Sequence, residues 1–257
     1  ITSGADGGDE KRLFFISSGN VNPVELSQLS YPDVNMLHGV ENPGQSWNAI
    51  TVGAFAKDIQ IESEQFRGFT AVANVGQLSP YSATSATWKK KWPIKPEILL
   101  DGGNVATNGQ DFTECPDLSL LTTSHRPLIR PFSTLWGTSS ATAQASHMAA
   151  QIYAEYPGIW PETVRALMIH SARWTPQMKA QFLTDDLKTS GRKNLLRTCG
   201  YGIPNLSKAI QCMNNSVNLI MQCEIQPFEK TSNGPRMKEM HLHKLPWPSE
   251  VLQSLGG

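Results

Sequence analysis

The segment from Ser140 to Ala154 limits the fold more than any other stretch of the chain. Alanine stands at Ala141, Ala143, Ala145, Ala149, Ala150 and Ala154, with Met148 and Ile152 at helical spacing. A helix with so little side-chain bulk suits close packing against a sheet, so the expected class is α/β. The helix opens on Leu135-Trp136-Gly137-Thr138-Ser139. Ser139 stands among backbone N–H groups that lack a helical partner, at the positive end of the helix dipole. Both favour negative charge developing on an attacked carbonyl, which makes Ser139 the candidate nucleophile. The same Gly-Thr-Ser-Ser letters also read as a loop ending in an N-cap, because Ser and Thr oxygens accept from the first free N–H groups.

Three stretches before this helix read as strands of the sheet it requires. Leu13-Phe14-Phe15-Ile16 is a short continuous apolar run, the pattern of a strand buried on both faces of a parallel sheet, and it ends in Ser17-Ser18-Gly19-Asn20. Loops at the carboxyl ends of such strands are where open α/β sheets place their sites, although Asn and Gly are also ordinary turn formers. Ala49 to Phe55 gives a second strand, and Lys95 to Gly103 a third with a turn after it. Residues 104–134 show no periodicity and read as one long connection. After the central helix, Pro161 opens an amphipathic helix with Val164, Leu167, Met168 and Ser171 on one face, and His170 is read as an ordinary helix residue. Residues 175–198 are charged and polar and read as a surface excursion. Gly200-Tyr201-Gly202-Ile203-Pro204 turns the chain, and Asn205 caps a helix to about Met213.

From Val217 the texture becomes strand-like, in Val217 to Gln226 and Arg236 to Leu245, and two strands do not stand alone in water. The expected division is therefore residues 1–213 as a catalytic part and 214–257 as the beginning of a β-rich domain. Glu239, His241 and His243 alternate and share one strand face, which reads either as metal ligands or as an exposed sheet face.

Charge excludes one class of partner. The 22 basic and 22 acidic residues sum to zero, so there is no general attraction to nucleic acid. No apolar run approaches the roughly 20 residues that cross a bilayer, and no membrane association is expected. The four cysteines form no C-x-x-C pair, which suggests neither a zinc site nor a disulfide framework and favours a reducing compartment. The chain opens at Ile1 without an initiator methionine or a signal-like segment, and its natural start is expected upstream.

Taken together, the strand ending in Ser-Gly-Asn, the Ile50-Thr51-Val52-Gly53-Ala54 strand, Lys95-Pro96-Glu97-Ile98, the Gly137-Thr138-Ser139 helix start and Gly200-Tyr201-Gly202-Ile203-Pro204-Asn205 resemble the subtilisin-like serine peptidases over about residues 13–213. The resemblance implies a parallel sheet flanked by helices and hydrolysis of polypeptides. It implies Ser139 as nucleophile and Asn20 as the side-chain donor of the oxyanion hole. Ser17, Ser18 and Gly19 would border the pocket for the side chain before the cut, and Thr138 would orient the loop. Trp92 to Ile98, Trp160 to Leu167, Glu224 to Phe228 and Met240 to Pro248 are similar to bacterial subtilases that carry a β-rich C-terminal domain. Members of that branch are thought to be intracellular and often accompany an AAA-type ATPase, so a cytoplasmic location and such a partner are implied, with secretion as the alternative. No cofactor is required by this chemistry. Many subtilases bind calcium, but no acidic loop here identifies a calcium site.

The family orders its triad Asp, His, Ser, with the first two well before the oxyanion asparagine. Only 19 residues precede Asn20, Asp6-Gly7-Gly8 lacks the family's strand and histidine helix around it, and none of His38, His125, His147, His170, His241 or His243 has the family's histidine context. The chain is therefore expected to be an incomplete catalytic domain that is inactive alone. A non-catalytic peptide-binding scaffold is one alternative. An α/β-hydrolase esterase is another, since Gly137-Thr138-Ser139-Ser140-Ala141 approximates G-x-S-x-G with Asp185 or Asp186 and then His241 or His243 following in that family's order.

Overall fold

The structure is a computed structural model that describes residues 11–183, 189–214 and 220–243. Its strands are β1 (Phe15–Ser17), β2 (Ile50–Phe55), β3 (Thr70–Ala71), β4 (Ile98–Asp101), β5 (Val105–Thr107), β6 (Phe112–Glu114), β7 (Leu120–Thr123), β8 (Phe132–Leu135), β9 (Phe228–Thr231) and β10 (Gly234–Met237). Its helices are α1 (Asp33–Leu37), α2 (Thr138–Glu155), α3 (Pro161–Ser171), α4 (Pro176–Phe182), α5 (Thr189–Cys199) and α6 (Leu206–Asn214). The chain divides into two compact units, Ile1–Gln211 and Cys212–Gly257.

The first unit is built on a parallel sheet in the order β1-β2-β4, with Phe15 opposite Ile50 and Val52 opposite Ile98. Helix α2 lies across all three strands. Ala141, Ala145, Ala149 and Ile152 are buried on the face towards the sheet, whereas Ala143, Ala150 and Ala154 are exposed, so half of the alanine run serves the close approach. Strand β2 is buried almost throughout, as its apolar run requires. Strand β1 departs from the expected two-sided burial: its residues are only half-buried and Phe14 is exposed. The reason is its place in the sheet, since β2 covers one edge and no described strand covers the other.

Two stretches read as irregular are structured. Residues 104–134 hold β5 to β8: β3, β5 and β6 form a small antiparallel sheet, and β7 pairs with β8, Leu120 opposite Leu135. Strands of three or four residues are too short to show an alternation, and β7 and β8 expose much of both faces. The expected surface excursion at 175–198 instead contributes α4 and α5 to the core. Met178, Phe182, Leu195 and Cys199 pack with Leu78 and Leu99. Lys179, Arg192 and Lys193 on the exposed faces hide that pattern, and Arg197 is itself buried, its guanidinium donating to the carbonyls of Ser85, Lys89 and Trp92. Complete burial pushes the Cys199 thiol up to about 12, so it stays protonated at neutral pH. Asn205 caps α6, its Oδ1 accepting from Lys208 N–H at 2.8 Å. Among the described residues no helix is long and apolar enough to cross a membrane.

In the second unit the strands lie elsewhere than expected. Residues 220–226 are irregular, and the paired segments are β9 and β10, with Phe228 opposite Met237 and a two-residue turn at Ser232-Asn233. The turn residues, with Gly234 at φ +111°, set the pairing more strongly than the apolar letters before Pro227.

Candidate active site

Three chain segments converge where β1 ends. Ser18 N–H donates to Val52 O at 2.9 Å, which carries the pairing with β2 one residue past the strand. Gly19 follows at φ +101°, a conformation that L residues avoid, and Asn20 comes next. From the far side the loop before α2 arrives, fixed to the end of β4 by Gly137 N–H donating to Gly102 O at 2.8 Å. Gly137 has φ +86°, and a Cβ there would stand 2.7 Å from Asn20 Oδ1, so both its backbone and the neighbouring amide require glycine.

Thr138 then locks the two segments together. Its N–H donates to Asn20 Oδ1 at 2.8 Å, and its buried hydroxyl lies 3.0 Å from the same oxygen and 3.2 Å from Gly19 O. A backbone N–H only donates, so the amide atom that faces it is the oxygen. The Asn20 Nδ2 group is thereby left as a donor, and among the described residues it has no partner. Ser139, the second residue of α2, is exposed, while Thr138 and Ser140 on either side are buried. Ser140 Oγ turns back to Gly137 O at 2.7 Å and Gln144 Nε2 donates to Asp101 O at 2.7 Å, so the first turn of the helix is held from beneath. Tyr81 stacks on Trp136, ring centroids 4.5 Å apart and 20° between planes, which fixes the loop from the side. Burial raises both the Tyr81 hydroxyl and the Asp101 carboxyl above their ordinary values.

The structure thus brings Asn20, Gly19 and Thr138 together beside Ser139, with Ser18 buried and Ser17 half-buried in the adjoining strand end. Ser139 Oγ has no hydrogen-bond partner among the described residues. His125, His147 and His170 are exposed, and His38 sits instead between two carboxylates, Nδ1 3.4 Å from Glu25 and Nε2 3.5 Å from Glu41. Asp6, Asp185 and Asp186 lie outside the described residues. The hydrolase alternative needs a strand of the main sheet running into the serine, but among the described residues β8 pairs with β7 alone, antiparallel. Sequence reading missed Glu41. Its N–H donates to Ser18 O at 3.0 Å, and its Cδ lies 2.7 Å from where a Cβ on Gly19 would be. Glu41 arrives through a proline-containing loop with no periodicity, so no local signal places it there.

Residues 2–202 match the model of the subtilase family. The chain belongs to the subtilase family. Among curated proteins it is 26% identical over 211 residues to the uncharacterized protein y4bN of Sinorhizobium fredii, covering 77% of this chain and 47% of that protein. It is 28% identical over 134 residues to the uncharacterized protein aq_aa18 of Aquifex aeolicus, covering 52% of this chain and 54% of that one. This subtilase chain therefore spans about half the length of the curated relatives it matches. Similar solved structures include the prenylagaramide maturation protease PagA, at 18% identity and TM-score 0.42 over 77% of this chain and 50% of that one. The epidermin leader peptide processing serine protease of Staphylococcus aureus is another, at 15% identity and TM-score 0.43 over 81% and 42%. Family membership supports a serine peptidase of α/β architecture.

Proposed function

We propose that this chain carries the nucleophile and the oxyanion donors of a serine endopeptidase. The Ser139 hydroxyl attacks a peptide carbonyl, forming the Oγ–C bond while its proton passes to a general base. The Asn20 Nδ2 and Ser139 N–H groups donate to the oxyanion, and breaking the C–N bond returns the proton to the leaving amine and leaves an acyl-enzyme. One observation carries this reading: Thr138 spends the carbonyl end of the Asn20 amide and leaves its donor end unspent at the start of α2. Because no described histidine partners Ser139, the base and its carboxylate belong in this reading to a longer natural protein, and these residues alone do not turn over substrate.

Labelling of the natural protein with a fluorophosphonate probe tests this. The expected result is a labelled band heavier than this 257-residue chain that disappears in Ser139→Ala. Unlabelled natural protein that still binds peptides would favour the second reading, a subtilase scaffold that binds without cutting, which the unpartnered Ser139 also fits.

The Glu41 carboxylate extends the reading to substrate choice. It lies against the Ser17-Ser18-Gly19 strand end, where a cationic side chain before the cut would meet it. The carboxylate is about half exposed, 58% by side chain, so water limits the gain. Glu41→Gln is expected to lower the preference for lysine or arginine over leucine at that position about 3-fold in kcat/KM, about 0.6 kcal/mol at the transition state. An unchanged ratio would remove Glu41 from the pocket.

A further inference from the structure

The β9–β10 hairpin brings together three side chains that peptide hydrolysis does not use. Pairing continues past Met237, with Lys238 N–H donating to Pro227 O at 2.9 Å, so 220–226 and 239–243 run back alongside one another. On one arm stands Cys223. On the other, His241 and His243 are two residues apart, as side chains on one face of an extended segment must be. A ligand atom from each of Cys223, His241 and His243 lies within 4.8 Å of the others. Cys223 Sγ is 3.8 Å from His243 Nε2, and the two imidazole rings are 5.8 Å apart between centroids. Glu239 completes the surroundings. Its Oε2 accepts from Gln226 N–H at 2.9 Å and lies 3.8 Å from His241 Nε2.

We propose that Cys223, His241 and His243 form a metal site of the zinc class. One thiolate and two imidazoles are the donor set that Zn²⁺ and its neighbours in the transition series take, whereas Ca²⁺ and Mg²⁺ take oxygen. A tetrahedral zinc, at about 2.3 Å from sulfur and about 2.0 Å from nitrogen, holds such donors roughly 3.5 Å apart, close to the separation of Cys223 and His243. Glu239, anchored by a backbone N–H and 3.8 Å from His241 Nε2, is close enough to orient that imidazole if its Nδ1 takes the metal. A second observation points the same way. A two-stranded hairpin is marginal in water, and here Phe228, Met237, Met240 and Leu242 are all exposed, so side-chain burial does little to fix the two arms. A metal that joins the arms supplies the missing constraint, since binding to a site absent from the unfolded chain is folding free energy.

The test is Co²⁺ titration of the full, reduced, metal-free chain, with Zn²⁺ as competitor. The expected result is one bound Co²⁺ with tetrahedral ligand-field bands and thiolate-to-cobalt charge-transfer absorption, displaced by Zn²⁺. Cys223→Ser should abolish the charge-transfer absorption, His241→Ala and His243→Ala should each abolish tetrahedral binding, and Glu239→Gln should weaken it about 10-fold. All four side chains are on or near the surface, so the variants keep the fold, which circular dichroism checks. No tetrahedral Co²⁺ in the unsubstituted chain at micromolar concentration overturns the proposal. Charge-transfer absorption that persists in Cys223→Ser also overturns it, because the thiolate would then lie elsewhere.

Discussion

Replacing Asn20 with alanine in the natural protein should lower kcat by about 10²–10³-fold and leave KM nearly unchanged. The scale is that of the oxyanion-hole asparagine of subtilisin, a member of the same family. The reason to expect it here is geometric. A donor stabilises an oxyanion without reorganisation only if it is already aimed, and Asn20 is aimed by Thr138 gripping the opposite end of its amide at 2.8 and 3.0 Å. Asn20→Asp separates aim from donation. It keeps an oxygen for Thr138 N–H but removes the Nδ2 donor and adds a negative charge, so it should lose at least as much as the alanine. Both effects fall on kcat because the donors meet full negative charge only when the carbonyl becomes tetrahedral. A kcat within twofold of the unsubstituted enzyme for both variants would place the oxyanion elsewhere.

What sequence could show about this site follows from how locally each part is specified. The fit of α2 to the sheet is written in Ala141, Ala145, Ala149 and Ile152 and was legible. The end of β1 and the start of α2 were legible as motifs, one segment at a time. Their joining was not, because Thr138 and Asn20 are 118 residues apart and the lock depends on the conformations of Gly19 and Gly137. Glu41 was hidden for a similar reason, since only the folded loop shows that it fills the space left by the missing side chain of Gly19. Helices α4 and α5 were obscured by charge: a stretch that exposes Lys179, Arg192 and Lys193 looks solvated until Met178 and Leu195 are seen facing inward. In the second unit the alternation of His241 and His243 was visible, whereas Cys223 joins them only because the turn at Ser232-Asn233 sets which residues of the two arms meet.

The largest stability effect is expected at Glu97. Lys95-Pro96-Glu97 leads into β4 and buries both charged side chains. Lys95 Nζ is fully buried, 2.6 Å from Glu97 Oε1 and 3.0 Å from Ala49 O. Glu97 also accepts from Arg165 Nη2 at 3.0 Å and, through its other oxygen, from Thr51 N–H at 2.7 Å. One carboxylate therefore ties β2, β4 and α3 together. Burial pushes the Glu97 carboxyl up and the Lys95 ammonium down, each partly opposed by the other's charge, so desolvation is the dominant influence on both. A pair of this kind contributes little net stability, but half of it is costly, because the remaining charge has neither water nor a counter-charge. Glu97→Ala should accordingly lose about 3–5 kcal/mol, roughly a 10 °C fall in melting temperature for a chain of this size. Lys95→Met combined with Glu97→Leu removes both charges and should recover much of the loss. Recovery stops short of complete because Thr51 N–H is left without its acceptor, at a cost of about 1–3 kcal/mol, while the partly exposed Arg165 turns to solvent. Denaturant unfolding of the two variants decides the matter. A Glu97→Ala loss below about 1 kcal/mol would mean that water reaches Lys95, and the pair would then be a surface ion pair rather than the buried tie between sheet and helix.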